Sequence, residues 1–460
     1  MTPNGFAYLA LIAWPFISLA LFRTQPVGRA LIASILIAYL FLPPGPTGFD
    51  LPLIPDLDKE TIPSLTAFAI CFFMYGRKMR FLPGPTPAKI LVALFVFSPI
   101  ATAMTNGEGV TFGNFYIQGL GIKDGLSMVA SKMAALMPFI LAMNFLNRET
   151  DQRDILIALV IAGLAYSLPM LLEVRLSPQL NTWIYGFFQH SFGQMMREGG
   201  FRPIVFLYHG LWVAFFCFTS IVAALTLYRS EKRHNKPALK YLIAGLYLFV
   251  VLVLCKSLGS LLYAIFLTPL LLFFSPRTQF RVATLITIVA LLYPVLKGNQ
   301  IIPERALIEQ AYEINPSRAA SLNFRLIHEA ILLERASMKP ILGWGSFGRP
   351  LIHNSDGQIL TIPDGRWVIT IGALGWVGYV AEFGLLAFPI LLILFKGRQY
   401  PTLYRSSLTS GLSLIVAVNM FDMLPNATLT PLTWLMAGSL LGYMQAPFVR
   451  QRQTIAAQTA

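Results

Sequence analysis

Two polar segments, 174–203 and 298–367, carry nine arginines: Arg175, Arg197, Arg202, Arg305, Arg318, Arg325, Arg335, Arg349 and Arg366. A guanidinium presents a planar fork of N–H donors that fits a phosphate bidentately. Arg202 and Arg366 each stand just before a long apolar stretch, so they are placed to hold a phosphate at a membrane surface. Proton acceptors lie in the same segments. Histidine, with an unperturbed pKa of about 6.5, is the natural base near neutral pH, and His353 sits in the loop "IHNSDG". Asp364 in "PDGRW" is a second candidate, or simply a turn or helix-cap residue. His209 falls one turn inside an apolar stretch, where a polar group is costly and suits packing or substrate contact. In "GWGSFG", Gly343, Gly345 and Gly348 break regular structure and let backbone approach a ligand, and Trp344 either stacks on a sugar ring or anchors at the interface. The phosphate-loop pattern is absent, because no Lys-Ser/Thr ends the glycine run. Cys71, Cys217 and Cys255 are dispersed in apolar blocks and read as packing residues, so no metal site is expected.

The elements that must position these groups are oily. The chain has 460 residues, 56% hydrophobic and 12% charged, with mean hydropathy +0.64; soluble domains carry about 25% charged residues. Apolar blocks such as "FAYLALIAWPFISLALF" recur along the chain, and a span needs about 20 such residues. The expected fold class is therefore all-α: a polytopic helical membrane protein with about 12–13 transmembrane helices and one large periplasmic loop. The spans fall near 5–22, 30–44, 62–76, 90–105, 125–145, 155–173, 204–228, 240–256, 258–275, 282–297, 368–395, 407–423 and 431–447. The first block lacks a basic n-region and a small-residue cleavage site, so it reads as a span and not as a cleavable signal. This divides the chain into spans over 1–297 with a smaller periplasmic segment at 174–203, a large periplasmic loop at 298–367, and C-terminal spans over 368–460.

The net charge of +14 has an ordinary explanation in such a chain. Linkers 23–29, 77–89, 147–154, 229–240, 276–281, 396–405 and 449–453 are basic or mixed and alternate with acidic or neutral ones, which assigns them to the cytoplasm by the positive-inside rule. Nucleic acid is not needed as a partner. The nine arginines face the other side, against that rule. Lys132, Glu382 and Asp422 fall in or beside spans, where charges are functional or paired. Within the large loop, residues 321–340 read as a surface helix with Leu322, Leu326, Ala330 and Leu333 as its apolar stripe, Ser321 as N-cap and Pro340 after its end. Arg325, His328 and Arg335 share its polar face, and Arg325–Glu329 has i,i+4 spacing.

"NFRLIHEAILLERASMKPILGWGSFG", then a His-Asn pair, then "DGRWVITIGALGWVGYVAEFGLL", resembles the O-antigen ligase and polysaccharide polymerase superfamily. Its elements match Arg325, Pro340 to Gly345, His353-Asn354 or Asp364-Gly365, and Gly375-Trp-Val-Gly378. Upstream, "REGGFRPIVFLYHGLWVAFF" resembles the family's Arg-containing outer segment, and "KSLGSLLYAIF" its Ser-Arg-Gly helix start, with the arginine absent and Lys256 nearby. The resemblance covers about 200–390. It implies a membrane-embedded glycosyltransferase of the bacterial inner membrane, acting at the periplasmic face on glycans carried by undecaprenyl diphosphate, with no metal or cofactor. Flippases and chain-length regulators of the same pathway are its implied partners, beside the bilayer itself.

On that basis Arg202 and Arg325 are expected to take up the charge of the leaving diphosphate, and His353 or Asp364 to accept the proton of the acceptor hydroxyl. His353 lies about ten residues too early relative to Gly375, and Asp364 occupies the expected place; this departure leans towards a polymerase. Arg197, Lys256, Trp344, Arg349, Arg366 and His209 are expected to contact substrate. The alternatives are an O-antigen ligase acting on lipid A-core and, in another class, a transporter or flippase of lipid-linked sugars.

Overall fold

The computed structural model describes residues 2–51, 54–197, 199–396 and 403–459. The chain is mostly helical. In order the helices are α1 (Gly5–Thr24), α2 (Val27–Phe41), α3 (Thr61–Tyr75), α4 (Thr86–Met104), α5 (Ile122–Phe145), α6 (Glu149–Leu176), α7 (Leu180–Tyr185) and α8 (Gly210–Arg233). They continue with α9 (Leu239–Leu254), α10 (Leu258–Phe273), α11 (Pro276–Gly298), α12 (Glu304–Ile314), α13 (Pro316–Ser337), α14 (Arg366–Lys396), α15 (Ser407–Asp422) and α16 (Pro431–Thr459). Two small antiparallel hairpins, β1 (Val110–Phe112) with β2 (Phe115–Ile117) and β3 (Met196–Arg197) with β4 (Gly200–Phe201), sit in the linkers.

Each of the thirteen apolar stretches falls on a helix. Among the described residues, seven helices are long and apolar enough to cross a membrane: α1, α4, α5, α6, α8, α11 and α14. Helices α9, α10 and α15 are apolar but only 16 residues long. At 1.5 Å per residue they reach about 24 Å, short of a hydrocarbon core of about 30 Å. Where they stop, the packed body has room for hollows.

Helix α8 is the centre of the bundle. It is apolar on every side, as a helix with no solvent face must be, and 89% of its most apolar stretch is buried. Helix α15 is almost as enclosed, and the two approach through small residues. Buried hydroxyls and amides are matched between helices, as lipid-embedded polar groups require: Ser410 donates to Gln279 (2.6 Å), Thr409 to Gln152 (2.7 Å) and Thr433 to Asn419 (2.6 Å).

The 368–395 span is not one straight helix. Gly375 has φ +64° and breaks α14. Arg366 nevertheless forms a bidentate pair with Glu382, both contacts 2.7 Å, and Thr370 donates to the same carboxylate. Sixteen residues of straight helix would separate Arg366 from Glu382 by about 24 Å. The first half of α14 therefore folds back beside the second, with Gly375 as the elbow. The stretch Pro340–Gly345 is clipped to that elbow backbone to backbone: Trp376 N–H donates to the Pro340 carbonyl (2.8 Å), Trp344 N–H to Gly372 (2.8 Å) and Gly345 N–H to Ala373 (2.8 Å). A Cβ on Gly375 would lie 2.3 Å from the Ile341 backbone, and one on Gly343 would lie 2.5 Å from that of Ala373. Gly343 and Gly345 thus serve contact with α14, where the sequence suggested a ligand.

The surface helix of the large loop begins earlier than its apolar stripe suggested. Asn315, not Ser321, caps α13 by accepting from Arg318 N–H, and α12 precedes it. The i,i+4 pair of Arg325 with Glu329 does not form. Glu329 is buried and accepts from Trp367 Nε1 (2.8 Å) and the Tyr293 hydroxyl (3.1 Å), with Lys297 at 3.7 Å.

Candidate functional site

Arg202 and Arg325 line one cavity of about 560 Å³. Its walls are the β3–β4 hairpin, the α9–α10 junction, the first turns of α13 and the end of α15 with the turn after it. Five cations border it, Arg197, Arg202, Lys256, Arg318 and Arg325, against one carboxylate among the described residues, Asp422. Glu198, four residues before Arg202 in the sequence, lies outside the described residues.

The hairpin and the start of α8 are shaped around two of these cations. A Cβ on Gly200 would lie 2.4 Å from Lys256 Nζ, and one on Gly210 would lie 2.3 Å from the Arg202 side chain. Arg202 is buried and donates through Nη2 to the Lys256 carbonyl (3.0 Å). Lys256 Nζ donates to the Arg197 carbonyl (2.9 Å). The Nε groups of Arg202 and Arg197 are buried with no hydrogen-bond partner among the described residues. A buried donor left unmatched costs about 1–3 kcal/mol, more when charged, so these N–H groups are available to an anion. Burial, then Arg197 and Arg325, pull Arg202 down to about 10, which leaves it charged at neutral pH. Helix α10 adds its N-terminus: Leu258, Gly259 and Ser260 border the cavity, and Ser257 makes no capping side-chain bond there. Helix amides and guanidinium forks together form an anion site.

Arg325 is held from three sides. Its Nη1 donates to the Pro425 carbonyl (3.1 Å) and Asn426 Oδ1 (3.2 Å), and its Nε faces Asp364 Oδ2 at 3.3 Å. Asp364 is therefore joined to the basic cavity through Arg325, without bordering it itself. His353 is not joined to it. Its ring is buried, with Nε2 at 3.0 Å from the Gly348 carbonyl and Nδ1 at 3.3 Å from that of Gly357, between Phe112 and Phe115. The ring ties the loop together and borders neither main cavity.

Three other expected contacts prove structural. Trp344 is covered by Arg335, whose guanidinium lies 3.5 Å from the ring centroid, and its Nε1 donates to the Arg335 carbonyl; its ring is taken by a cation. Arg349 is fully buried and donates to the carbonyls of Trp344, Gln118 and Glu108. His209 caps α8, its Nδ1 accepting from Leu211 N–H (3.0 Å). Burial, then His190, Arg202, Arg325 and Arg197, hold it down to about 3, so it is neutral at physiological pH.

Arg366 lies in a second cavity, of about 340 Å³, with Lys132 and Glu382 at its base. Lys132 Nζ is 3.2 Å from Glu382 Oε2. Asp56, Asp58 and Glu60, from the linker before α3, also border it. The sequence singled out Lys132, Glu382 and Asp422 as charges in spans but offered no sign that Asp56, Asp58 and Glu60 join them. Their only signal was an acidic run ahead of an apolar stretch. Among the described residues no group of His, Cys, Asp or Glu is placed to hold a metal ion. No family model and no curated protein matches the chain.

Proposed function

We propose that this chain is an integral membrane glycosyltransferase of the O-antigen ligase and polymerase type, joining undecaprenyl-diphosphate-linked repeats into a polymer at the periplasmic face of a bacterial inner membrane. The observation that carries this reading is the convergence of Arg202 and Arg325, with Arg197, Lys256 and Arg318, on one cavity. Its volume of about 560 Å³ is within the usual range for ligand sites. Every segment lining it comes from linkers or helix ends opposite the basic, cytoplasmic linkers. The junction of the short helices α9 and α10, the start of α10 and the end of α15 line the hollow, and the flanking helices number about 12–13 spans in this reading.

In the reaction, the acceptor hydroxyl oxygen bonds to the anomeric carbon of the donor glycan. The bond from that carbon to the diphosphate oxygen breaks, and its electron pair leaves with the diphosphate. Arg202 and Arg325 receive this charge through donors already in place, which is where fixed dipoles accelerate a reaction most. The hydroxyl proton passes to a carboxylate, and Asp364, in contact with Arg325, fills that role. Removing one such donor costs about 100- to 1000-fold in rate. Arg202→Ala and Arg325→Ala at normal membrane levels are therefore expected to abolish long polymer and accumulate lipid-linked single repeats, read by gel profile and lipid extraction. Wild-type product length and yield in both would end this reading.

The buried ion cluster of Lys132, Glu382 and Arg366 favours a second reading, a transporter of lipid-linked sugars, since charges between helices often mark translocation paths. Purified protein in liposomes separates the two: a transporter moves the lipid-linked sugar without lengthening it.

A further inference from the structure

The two cavities share a partition and differ in sign. Residues 364–366 and the turn from α15 to α16 stand between them. Arg325, Asp422, Pro425 and Asn426 border the basic side, with Asp364 paired to Arg325 behind it, and Arg366, Thr430 and Pro431 border the other. The partition is tied by Arg366 N–H, which donates to the carbonyls of Met423 (2.9 Å) and Asn426 (3.0 Å). On the second side four carboxylates, Asp56, Asp58, Glu60 and Glu382, face two cations, Lys132 and Arg366. Burial, then Asp58, push Glu60 up to about 8, so at neutral pH it is largely protonated. Asp56, Asp58 and Glu382 still outnumber the two cations and disfavour a diphosphate, whereas sugar hydroxyls, which donate well to carboxylates, are welcome.

The carboxylates are not equivalent. Glu382 is fully buried and saturated by Arg366, Lys132 and Thr370. Asp58 accepts the backbone N–H groups of Glu60 and Thr61, both 2.9 Å, at the start of α3. The Glu60 carboxylate has no hydrogen bond or ion pair among the described residues, although Lys59 beside it is buried and committed to the Phe206 carbonyl (2.7 Å). Glu60, half-buried, and Asp56, at the exposed rim, are thus the carboxylates of this cavity with no protein partner among the described residues, with Trp434 and Phe95 supplying apolar wall.

We propose that this second cavity receives the acceptor glycan by its hydroxyl-rich, uncharged end, with Glu60 accepting hydrogen bonds from its hydroxyls, while the diphosphate-bearing donor occupies the basic cavity across the partition. The inference rests on the glycosyltransferase reading. It assigns the diphosphate of the donor and the uncharged body of the acceptor to separate hollows of opposite charge, with the reacting hydroxyl and the anomeric carbon meeting at the partition beside Asp364 and Arg325.

The test uses the full chain in liposomes, with lipid-linked repeats extracted from cells lacking it as donor and a soluble oligosaccharide cut from the cell's own polymer as acceptor. Undecaprenyl diphosphate binding is followed separately by tryptophan fluorescence. Above about pH 8, where Glu60 is ionised, Glu60→Gln is expected to raise the acceptor KM about tenfold or more, with Glu60→Asp recovering part of the loss. Undecaprenyl diphosphate affinity should stay within about twofold of wild type, as for independent sites. Asp56→Asn, at the exposed rim where folding is not at stake, is expected to raise the acceptor KM in the same direction. A normal acceptor KM in both variants, with affinity for undecaprenyl diphosphate lost in Arg202→Ala, overturns the acceptor site alone. Equal loss of undecaprenyl diphosphate affinity in Glu60→Gln and Arg202→Ala overturns the separation of the two cavities. Retained affinity in Arg202→Ala removes the glycosyltransferase reading and this inference with it.

Discussion

Arg202 and Arg349 are both buried arginines in polar segments, and only their surroundings distinguish them. Arg349 spends its donors on three backbone carbonyls, while Arg202 keeps a buried Nε idle beside other cations. Arg349→Met is expected to lose about 2–4 kcal/mol of stability, since it strands those carbonyls; thermal unfolding in detergent measures this. His353 behaves likewise. His353→Gln, whose amide can still donate to a carbonyl, is expected to retain polymer formation, and loss of activity at normal stability would restore it as a base. His209 gives a pH signature. Its folded pKa, near 3, lies below the ordinary unfolded value. Its contribution to stability is whole above about pH 6.5 and declines as pH falls, because the unfolded chain takes the proton first. The loss at pH 5 should approach about 2 kcal/mol and vanish in His209→Asn, which keeps a cap but cannot titrate. Sequence showed the residue types correctly. It was silent on whether a given fork meets a carbonyl or an empty hollow, because that depends on contacts between residues more than two hundred positions apart, such as Arg349 with Gln118.

At the scale of elements, the apolar helices were readable because lipid imposes its demand on composition directly. The break in α14 was not, since its apolar run continues through Gly375. The signal was present in Gly375-Trp-Val-Gly378, but spacing alone could not separate a helix elbow from a packing motif. Gly375→Ala is expected to destabilise strongly, by more than about 2 kcal/mol, because the side chain meets both an unfavourable φ and the Ile341 backbone. Protein yield in membranes and protease sensitivity of the 340–345 segment would register it. The surface helix was legible, but its buried face runs through Ala319, Glu329, Leu332 and Ala336, while Leu322 and Ala330 of the expected stripe are exposed, and its true start was hidden as well. Asn315 followed by Pro316 is a good cap signal, overlooked because the stripe begins later.

Across the whole molecule, charges far apart in sequence sort into two hollows of opposite sign. The cluster of Arg366, Glu382 and Lys132 joins α14 to α5. Arg366→Met should cost about 3–5 kcal/mol by leaving a buried carboxylate poorly paired, and the double variant Arg366→Met/Glu382→Met should recover much of that. Unfolding midpoints of the single and double variants report the coupling. Of this arrangement, the arginines of 174–203 and 298–367 were legible because they cluster in the long polar segments that separate apolar stretches. Asp56, Asp58 and Glu60 were not, since acidic linkers are what the positive-inside rule expects.

The clip between Pro340–Gly345 and the α14 elbow has a practical corollary for engineering. A chimera that grafts only residues 298–367 from a related chain would cut through shared backbone bonds and lose the footing of the surface helix. The smallest exchangeable cassette runs from the start of that loop through the descending half of α14. A graft of 298–396 should therefore yield protein in the membrane where the shorter one is degraded.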